Sequence, residues 1–503
     1  MSAISEPGGG SGPRVDTDSG LERGTNWWGA FVIGLAGTIL VTGIAPFAVQ
    51  VLGAASVPLF VVITGMGVIL CFCLAELAAM MPHRTGGLPS NAFETYKPLG
   101  ASTARHVGGV SGWGYWLGWF PVAPINCILA SAYIVSLFGV PIGREFTPFG
   151  TLGTKISVAV LVVAFVILAV VSIPSWLGIR LGAGFATLLG VVSMVPLTAL
   201  IFLPFFKPSS MHWSNLAGFH LPDPSVGSFA FFMSWIFVMT WSVLAMEAAA
   251  CYIGECHDPV RDAKIAITAS GLYGYFIYIM IPVMFVVVLG VAETFDPLTV
   301  FTDFSARVFG TSAGWVKWFI GIPLVVALIL SVLNAIMGCA RSLYQVAADG
   351  LLPRFFHHVN RHGVPDHAMG VNIACSAVVL LFGSPLRIYI FSNIGYLLSC
   401  ALAMGGYFLH RQYRPELERP VRLPGFVRWV ALAIFVFFAF AWVYGGYHSP
   451  QLVVGPDEGS FLFWLGIVIV LAYLPLYLLR KAQDRRGAPA TAEPAVAGEP
   501  AGD

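Results

Sequence analysis

A carboxylate in an apolar stretch is useful only if something solvates it, and TWSVLAMEAAACYIGECHDPVRDAKIAI, residues 240–267, contains such a carboxylate. Glu247 lies in the apolar part. Glu255, Cys256, His257, Asp258 and Pro259 follow, then Arg261 and Lys264. Placing a carboxylate in a bilayer costs about 2.5–3.5 kcal/mol, so Glu247 needs a partner or a water-filled cavity. Three roles are open to it: a structural or gating carboxylate bonded to another helix, a proton carrier, or a counter-ion for a cationic substrate. Cys251, Cys256 and His257 invite a metal reading. A four-ligand site needs a second pair nearby, and the sequence shows none. No metal and no cofactor is expected.

The elements that hold these residues follow from composition. The chain has 503 residues, 57% hydrophobic and 10% charged, against about a quarter charged in soluble domains. It reads as an all-α polytopic membrane protein with the lipid bilayer as its solvent. The net charge of +1 gives no electrostatic footprint for nucleic acid. Eight cysteines, without a CxxC pair or regular spacing, read as small buried hydrophobes. Residues 1–26 and 481–503 are rich in Gly, Ser, Pro and Ala and are expected to be disordered tails. The first lacks the apolar core of a signal peptide.

Twelve apolar stretches are long enough to span, given about 20 residues per crossing. They fall at 28–52, 56–81, 109–139, 154–173, 179–206, 228–254, 265–291, 313–345, 368–384, 386–410, 427–447 and 460–480. With the N-terminus in the cytoplasm, 20 of the 26 Lys and Arg residues lie on the cytoplasmic side. Arg144, Lys155, Lys207, Arg307, Lys317 and Arg387 lie opposite. The positive-inside rule therefore places both termini in the cytoplasm, and the plasma membrane is the expected location. In span 3, Gly108, Gly112, Gly114 and Gly118 form small-xxx-small frames that bring helices close. Gly178 and Gly182 do the same near span 5.

Two spans predict a break. Span 1 crowds Gly34, Gly37, Thr38, Thr42, Gly43 and Pro46 together, and Pro46 removes a backbone donor. Span 6 has a polar interruption at Thr240, Trp241 and Ser242, so the break is expected over 240–244, with Ala245 to Glu255 an inner half-helix ended by Pro259. Unwound backbone at membrane depth is tolerated only where it lines a cavity. Its free amides and carbonyls suit a carboxylate and an ammonium or cation. Two broken spans five apart are what an inverted five-helix repeat predicts.

Three blocks resemble the amino acid–polyamine–organocation permease superfamily: LAELAAMMPHRTGG at 74–87, the stretch from Trp241 to Arg261, and SVLNAIMGCARSLYQVAADGLLPRFFHHVNRHGVP at 331–365. With the span count, the resemblance covers about residues 28 to 480. It implies an inverted 5+5 repeat within a transporter domain at 27–480. The repeats would be 28–206 and 228–410, with 427–480 as helices 11 and 12. It also implies alternating access and a substrate held between helices 1, 3, 6, 8 and 10. The family's Gly-x-Gly-Ile signature has two nearest matches here, Gly37-Thr38-Ile39 and Thr42-Gly43-Ile44. A lysine found in helix 5 of some proton-coupled members is replaced near Ser193, and none lies between Arg180 and Lys207.

The substrate-binding candidates are Gly37, Thr38, Thr42, Gly43, Asn126, Trp241, Ser242, Ala245, Ser392 and Asn393. Trp241 is either an occluding lid or a packed core residue. Asn126 either faces the site, in a helix disturbed by Pro121 and Pro124, or bonds a neighbouring backbone. Ser331 and Asn334 either line a cation site with span 1 carbonyls or bond between helices. Glu247, Glu76 and Arg341 are gating or proton-linked candidates. Arg341 either snorkels at the end of span 8 or pairs with Glu76 or Glu255.

The function expected is secondary transport of an amino acid, with a polyamine or other organic amine, or amino acid/amine exchange, as the alternative. H⁺ or Na⁺ is the coupling ion to test, and the sequence leaves oligomeric state open. An enzyme would need a cluster such as HExxH, paired Asp in a span or a serine–base pair, and none is present. A receptor or channel fits twelve spans with two broken helices less well. No GxxxxGK phosphate loop supports ATP-driven transport by this chain.

Overall fold

In hydrocarbon every backbone donor and acceptor must be paired inside the protein, and helices meet that demand residue by residue. The computed structural model describes residues 23–141, 143–147, 156–178, 187–188, 190, 192, 194, 197–217, 221, 227–290, 300–310, 314–382 and 385–487. Among these, nine helical runs are long and apolar enough to cross a membrane. The two tails therefore lie almost wholly outside the described residues, as do Lys155, Arg180, Gly182 and Ser193.

Span 1 corresponds to α1 (Trp27–Ile39) and α2 (Val41–Leu52), and span 2 to α3 (Ser56–Met80). A short α4 (Leu88–Thr95) precedes α5 (Ala101–Trp119) and α6 (Val122–Phe138), which share span 3. Next comes α7 (Val158–Trp176), preceded by a small antiparallel pairing of Glu145 with Ser157 and Phe146 with Ile156. Span 5 is described continuously only from Leu197. Span 6 is α8 (Phe229–Val243) followed by a 3₁₀ segment, Leu244–Glu255. The later helices are α9 (Pro259–Leu289), α10 (Val300–Phe309), α11 (Gly314–Ala348), α12 (Asp366–Val379) and α13 (Pro385–Tyr413). They are followed by α14 (Val427–Phe440), α15 (Phe461–Leu471) and α16 (Tyr473–Gly487).

The packing sorts by side chain. On α7, Val162, Val166, Val170 and Ile173 are each more than half exposed at helical spacing, the face a bilayer would cover. Inside, α3 packs on α9, α1 on the 3₁₀ segment, α5 on α13, and α6 on α11. Glycines permit the closest approaches. A Cβ on Gly37 would lie 1.9 Å from Ala245 O, and one on Gly395 would lie 2.3 Å from Gly114 O.

Several sequence expectations need correction. The interruption in span 1 is confined to Leu40, where the backbone stays right-handed helical, with φ −61° and ψ −11°. Leu40 N donates to Gly37 O instead of continuing the i−4 ladder alone. In span 6 the α-helix continues through Thr240, Trp241 and Ser242, and changes to 3₁₀ at Leu244. Ala245 to Glu255 is therefore not an α-helical half. Twelve residues of 3₁₀ is a long run for a winding with poorer hydrogen bonds. Pro259 starts α9 instead of ending the previous helix. Asp258 caps that start, accepting from Arg261 N at 3.2 Å. Proline suits a first turn because its missing N–H has no partner there in any case.

Candidate functional site

The interruptions in spans 1 and 6 meet at one tyrosine. The Tyr278 hydroxyl, from α9, lies 2.8 Å from Gly37 O and 2.6 Å from Ser242 O, with Ser242 Oγ at 3.0 Å. One hydroxyl proton serves one carbonyl at a time, so the two interruptions compete for the same donor. Two neighbours complete the junction. Thr42 Oγ1 donates to Ile39 O at 2.8 Å, and Ser331 Oγ donates to Ala36 O at 3.1 Å. Asn126 Nδ2 donates to Ser331 Oγ at 3.0 Å, linking α6, α11 and α1 in one chain. Thr38 Oγ1 is buried with no hydrogen-bond partner among the described residues.

Trp241 is buried against α5 and α13. Its ring lies 4.5 Å from that of Tyr389, and its Nε1 donates to Gly118 O at 2.9 Å. Gly43 lies against the same Tyr389, since a Cβ there would be 2.5 Å from the hydroxyl. Ser392 bonds back within α13 to Ile388 O at 2.6 Å. Asn393 Nδ2 reaches Phe237 O and Thr240 Oγ1, at 2.5 and 3.1 Å. Its Oδ1 is buried and unpartnered among the described residues.

Glu247 is fully buried, one turn beyond the change to 3₁₀. Its Oε1 accepts from Tyr115 OH at 2.9 Å, Tyr396 OH at 3.1 Å and Trp119 Nε1 at 3.3 Å. Its Oε2 has no partner among the described residues. Tyr115 and Trp119 also wall a collapsed cavity, too tight here to hold a water molecule, with Ala248, Cys251, Asn334, Gly338 and Cys339 as the other lining residues. Asn334 Oδ1 accepts from Tyr252 OH at 2.5 Å, so it faces both the cavity and the 3₁₀ segment.

The aromatic donors were missed in the sequence, as was Tyr278. Tyr115 and Trp119 stand four apart on one face of a helix, a signal that the glycines of GGVSGWGYWLG obscured. Those glycines are what bring the donors together. Gly114 faces the backbone of Gly395, and Gly118 faces Tyr396, so α5 and α13 approach closely and three polar tips converge on one carboxylate.

Beyond the cavity the 3₁₀ segment ends in an ion pair. Of the two partners open to Arg341, Glu255 is the one it takes. Nε and Nη2 both bond the carboxylate, the latter at 3.0 Å. Arg341 is fully buried seven residues before the end of α11, so it does not snorkel. Glu76 accepts instead from Arg411, from Arg419 at 3.0 Å, from Tyr407 OH at 3.1 Å and from Leu423 N at 2.9 Å.

Residues 26–473 match the family model described as amino acid permease. The chain belongs to the amino acid permease family. It is an integral membrane protein of that family, and its family and relatives are transporters, which sets the enzyme reading aside. The permease is similar to the glutamate/gamma-aminobutyrate antiporter of Lactococcus lactis, 23% identical over 299 residues, or 54% of this chain and 56% of that protein. It is similar to the arginine/ornithine antiporter of Pseudomonas aeruginosa, 25% identical over 326 residues, covering 63% and 62%. A vacuolar cationic amino acid transporter of Arabidopsis thaliana is 25% identical over 239 residues, covering 46% and 36%. The matches thus span less than two thirds of each relative.

Proposed function

We propose that the permease is a secondary active transporter that carries amino acids across the plasma membrane by alternating access. The observation that carries this reading is the Glu247 carboxylate. It is held by donors from α5 and α13 on one oxygen, the other oxygen has no partner among the described residues, and two of its donors, Tyr115 and Trp119, line the collapsed cavity. A carboxylate held that way offers an acceptor to an ammonium group, which amino acids and amines share. Ser331 and Asn334, with the Ala36 carbonyl, are the proposed position for a coupling Na⁺; Glu247 is the candidate for H⁺.

The reading includes twelve transmembrane helices in an inverted 5+5 repeat, 28–206 and 228–410, with helices 11 and 12 following and both termini in the cytoplasm. It is supported by the distribution of Lys and Arg and by interruptions at Leu40 and Leu244, five spans apart.

An organic amine, or amino acid/amine exchange, is the second reading. None of the cavity-lining residues is cationic, so no side chain there is ready to neutralise a substrate carboxylate. The two antiporter relatives add weight to exchange. Uptake into proteoliposomes decides between these readings, with labelled amino acids and amines, imposed Na⁺ or H⁺ gradients, and preloading with unlabelled counter-substrate. Absence of saturable flux for every candidate overturns the transporter reading. Glu247→Gln should flatten the pH dependence of uptake; uptake equal to wild type at every pH excludes the proton-carrier role.

A further inference from the structure

The loop between α11 and α12 carries a side-chain cluster outside the site described above. His358 follows the short 3₁₀ turn Arg354–His357, and Asp366 and His367 open α12. A ligand atom from each of the three lies within 4.8 Å of the other two. The backbone between them is tightly bonded: Asn360 N donates to Val364 O at 2.9 Å, while Asn360 Oδ1 accepts from His362 N and Val364 N at 2.9 and 3.1 Å. Chain geometry, not chance contact, therefore sets His358 against the start of α12.

We propose that His358, Asp366 and His367 form a binding site for a divalent transition cation of the Zn²⁺ class, completed by water. The donor set of two imidazoles and one carboxylate suits such borderline ions. The tautomer of His367 is already set. Its Nδ1 lies 3.1 Å from Phe355 O, and since a carbonyl only accepts, Nδ1 carries the proton and Nε2 keeps its lone pair. A carbonyl that accepts from the other ring nitrogen in this way is a recurrent support for a metal-binding histidine. His358 Nδ1 now contacts Asp366 Oδ1 at 2.6 Å, a contact the cation would replace. The displaced proton goes to solvent from an imidazolium, or to Nε2 from a neutral ring. Without metal the two imidazoles stack at 4.1 Å and 15°. Two ligands to one ion need ring planes that converge on it, so binding turns His358 out of the stack. That ring is half exposed. Occupied, the site would join the turn after α11 to the first residues of α12.

The test uses the untagged full-length permease in nanodiscs. Zn²⁺ affinity is measured by competition with a chromophoric chelator, and Co²⁺ serves as a visible probe of the ligand field. One equivalent of Zn²⁺ should bind. His358→Gln, Asp366→Asn and His367→Gln should each weaken binding by more than the roughly 10–100-fold that loss of a hydrogen-bond partner to a ligand typically costs. His357→Gln and His362→Gln, in the same loop, should leave binding unchanged. A thermal melt confirms folding of each variant, and His358→Gln, at a half-exposed position, keeps the test open if a buried change fails to fold. No saturable binding at micromolar metal, or equal weakening in all five variants, overturns the proposal.

Discussion

Buried charge in this permease is paired, and the pairs are where single substitutions should be felt. Arg341 and Glu255 are both inaccessible and share two hydrogen bonds, with Arg341 Nη1 also donating to Met337 O at 3.0 Å. Removing one partner leaves the other charge uncompensated, which typically costs about 3–5 kcal/mol. Replacing both with apolar residues of similar size is often neutral. Arg341→Leu should therefore lower thermal stability in detergent sharply, and adding Glu255→Leu should restore most of it. A double variant no more stable than the single one would show that the pair acts through something other than mutual neutralisation. Glu247 differs because its donors are neutral hydroxyls and an indole, and its second oxygen has no partner among the described residues. That difference supports the proposed ligand role for Glu247, while its three donors also tie the 3₁₀ segment to α5 and α13.

At the scale of elements, helix contact distance decides what the site residues can do. Gly37 was a substrate candidate, but its α-carbon faces the carbonyl of Ala245, leaving no room for a methyl group. Gly37→Ala should prevent α1 from seating on the 3₁₀ segment and abolish transport with loss of folded protein. Gly314→Ala, where an added Cβ meets nothing within 4 Å, should be silent. Size-exclusion profiles and uptake check both; a folded, inactive Gly37→Ala would return that residue to a direct substrate role. The apolar runs and charge spacing made the helices legible in the sequence, and the isolation of Glu247 made it stand out. Its partners were not legible, because they lie 132 and 149 residues away in Tyr115 and Tyr396 and meet only through glycine-mediated packing. The position of the span 6 interruption was misjudged for a similar reason. Polar side chains at 240 and 242 suggested unwinding, but Thr240 Oγ1 bonds back to Phe237 O at 2.6 Å and Tyr278 caps the Ser242 carbonyl, so the α-helix survives to Val243.

For the whole molecule, the charges gather at one end of the bundle, where α3, α11 and α13 finish. There Glu76 holds Arg411 and Arg419, Glu255 holds Arg341, and Arg84 holds Asp349 at 2.5 Å with Glu94 at 3.5 Å. The far end of α13 carries the Arg387–Glu458 pair. Under the proposed topology the first group faces the cytoplasm and must part when the cavity opens inward. Arg84 is the informative one to remove. Burial pushes the Asp349 carboxyl above its usual range and Arg84 opposes that shift. Without Arg84 the closed state holds the Asp349 carboxyl without its counter-ion, so Arg84→Gln should favour the open state. Cys251 and Cys339, which line the cavity, should then react with a membrane-impermeant maleimide from the cytoplasmic face on the order of ten-fold faster, as a shift of about 1.4 kcal/mol would give. The pH response has a definite sign. A carboxyl whose pKa is higher in the closed state than in the open one binds its proton more tightly when closed, so acid favours closure. The excess of the Arg84→Gln labelling rate over wild type, each measured at the same pH because maleimide attacks only the thiolate, should therefore shrink as pH falls. A rate unchanged from wild type at neutral pH, or an excess over wild type that grows in acid, would show that this end of the bundle is not the gate.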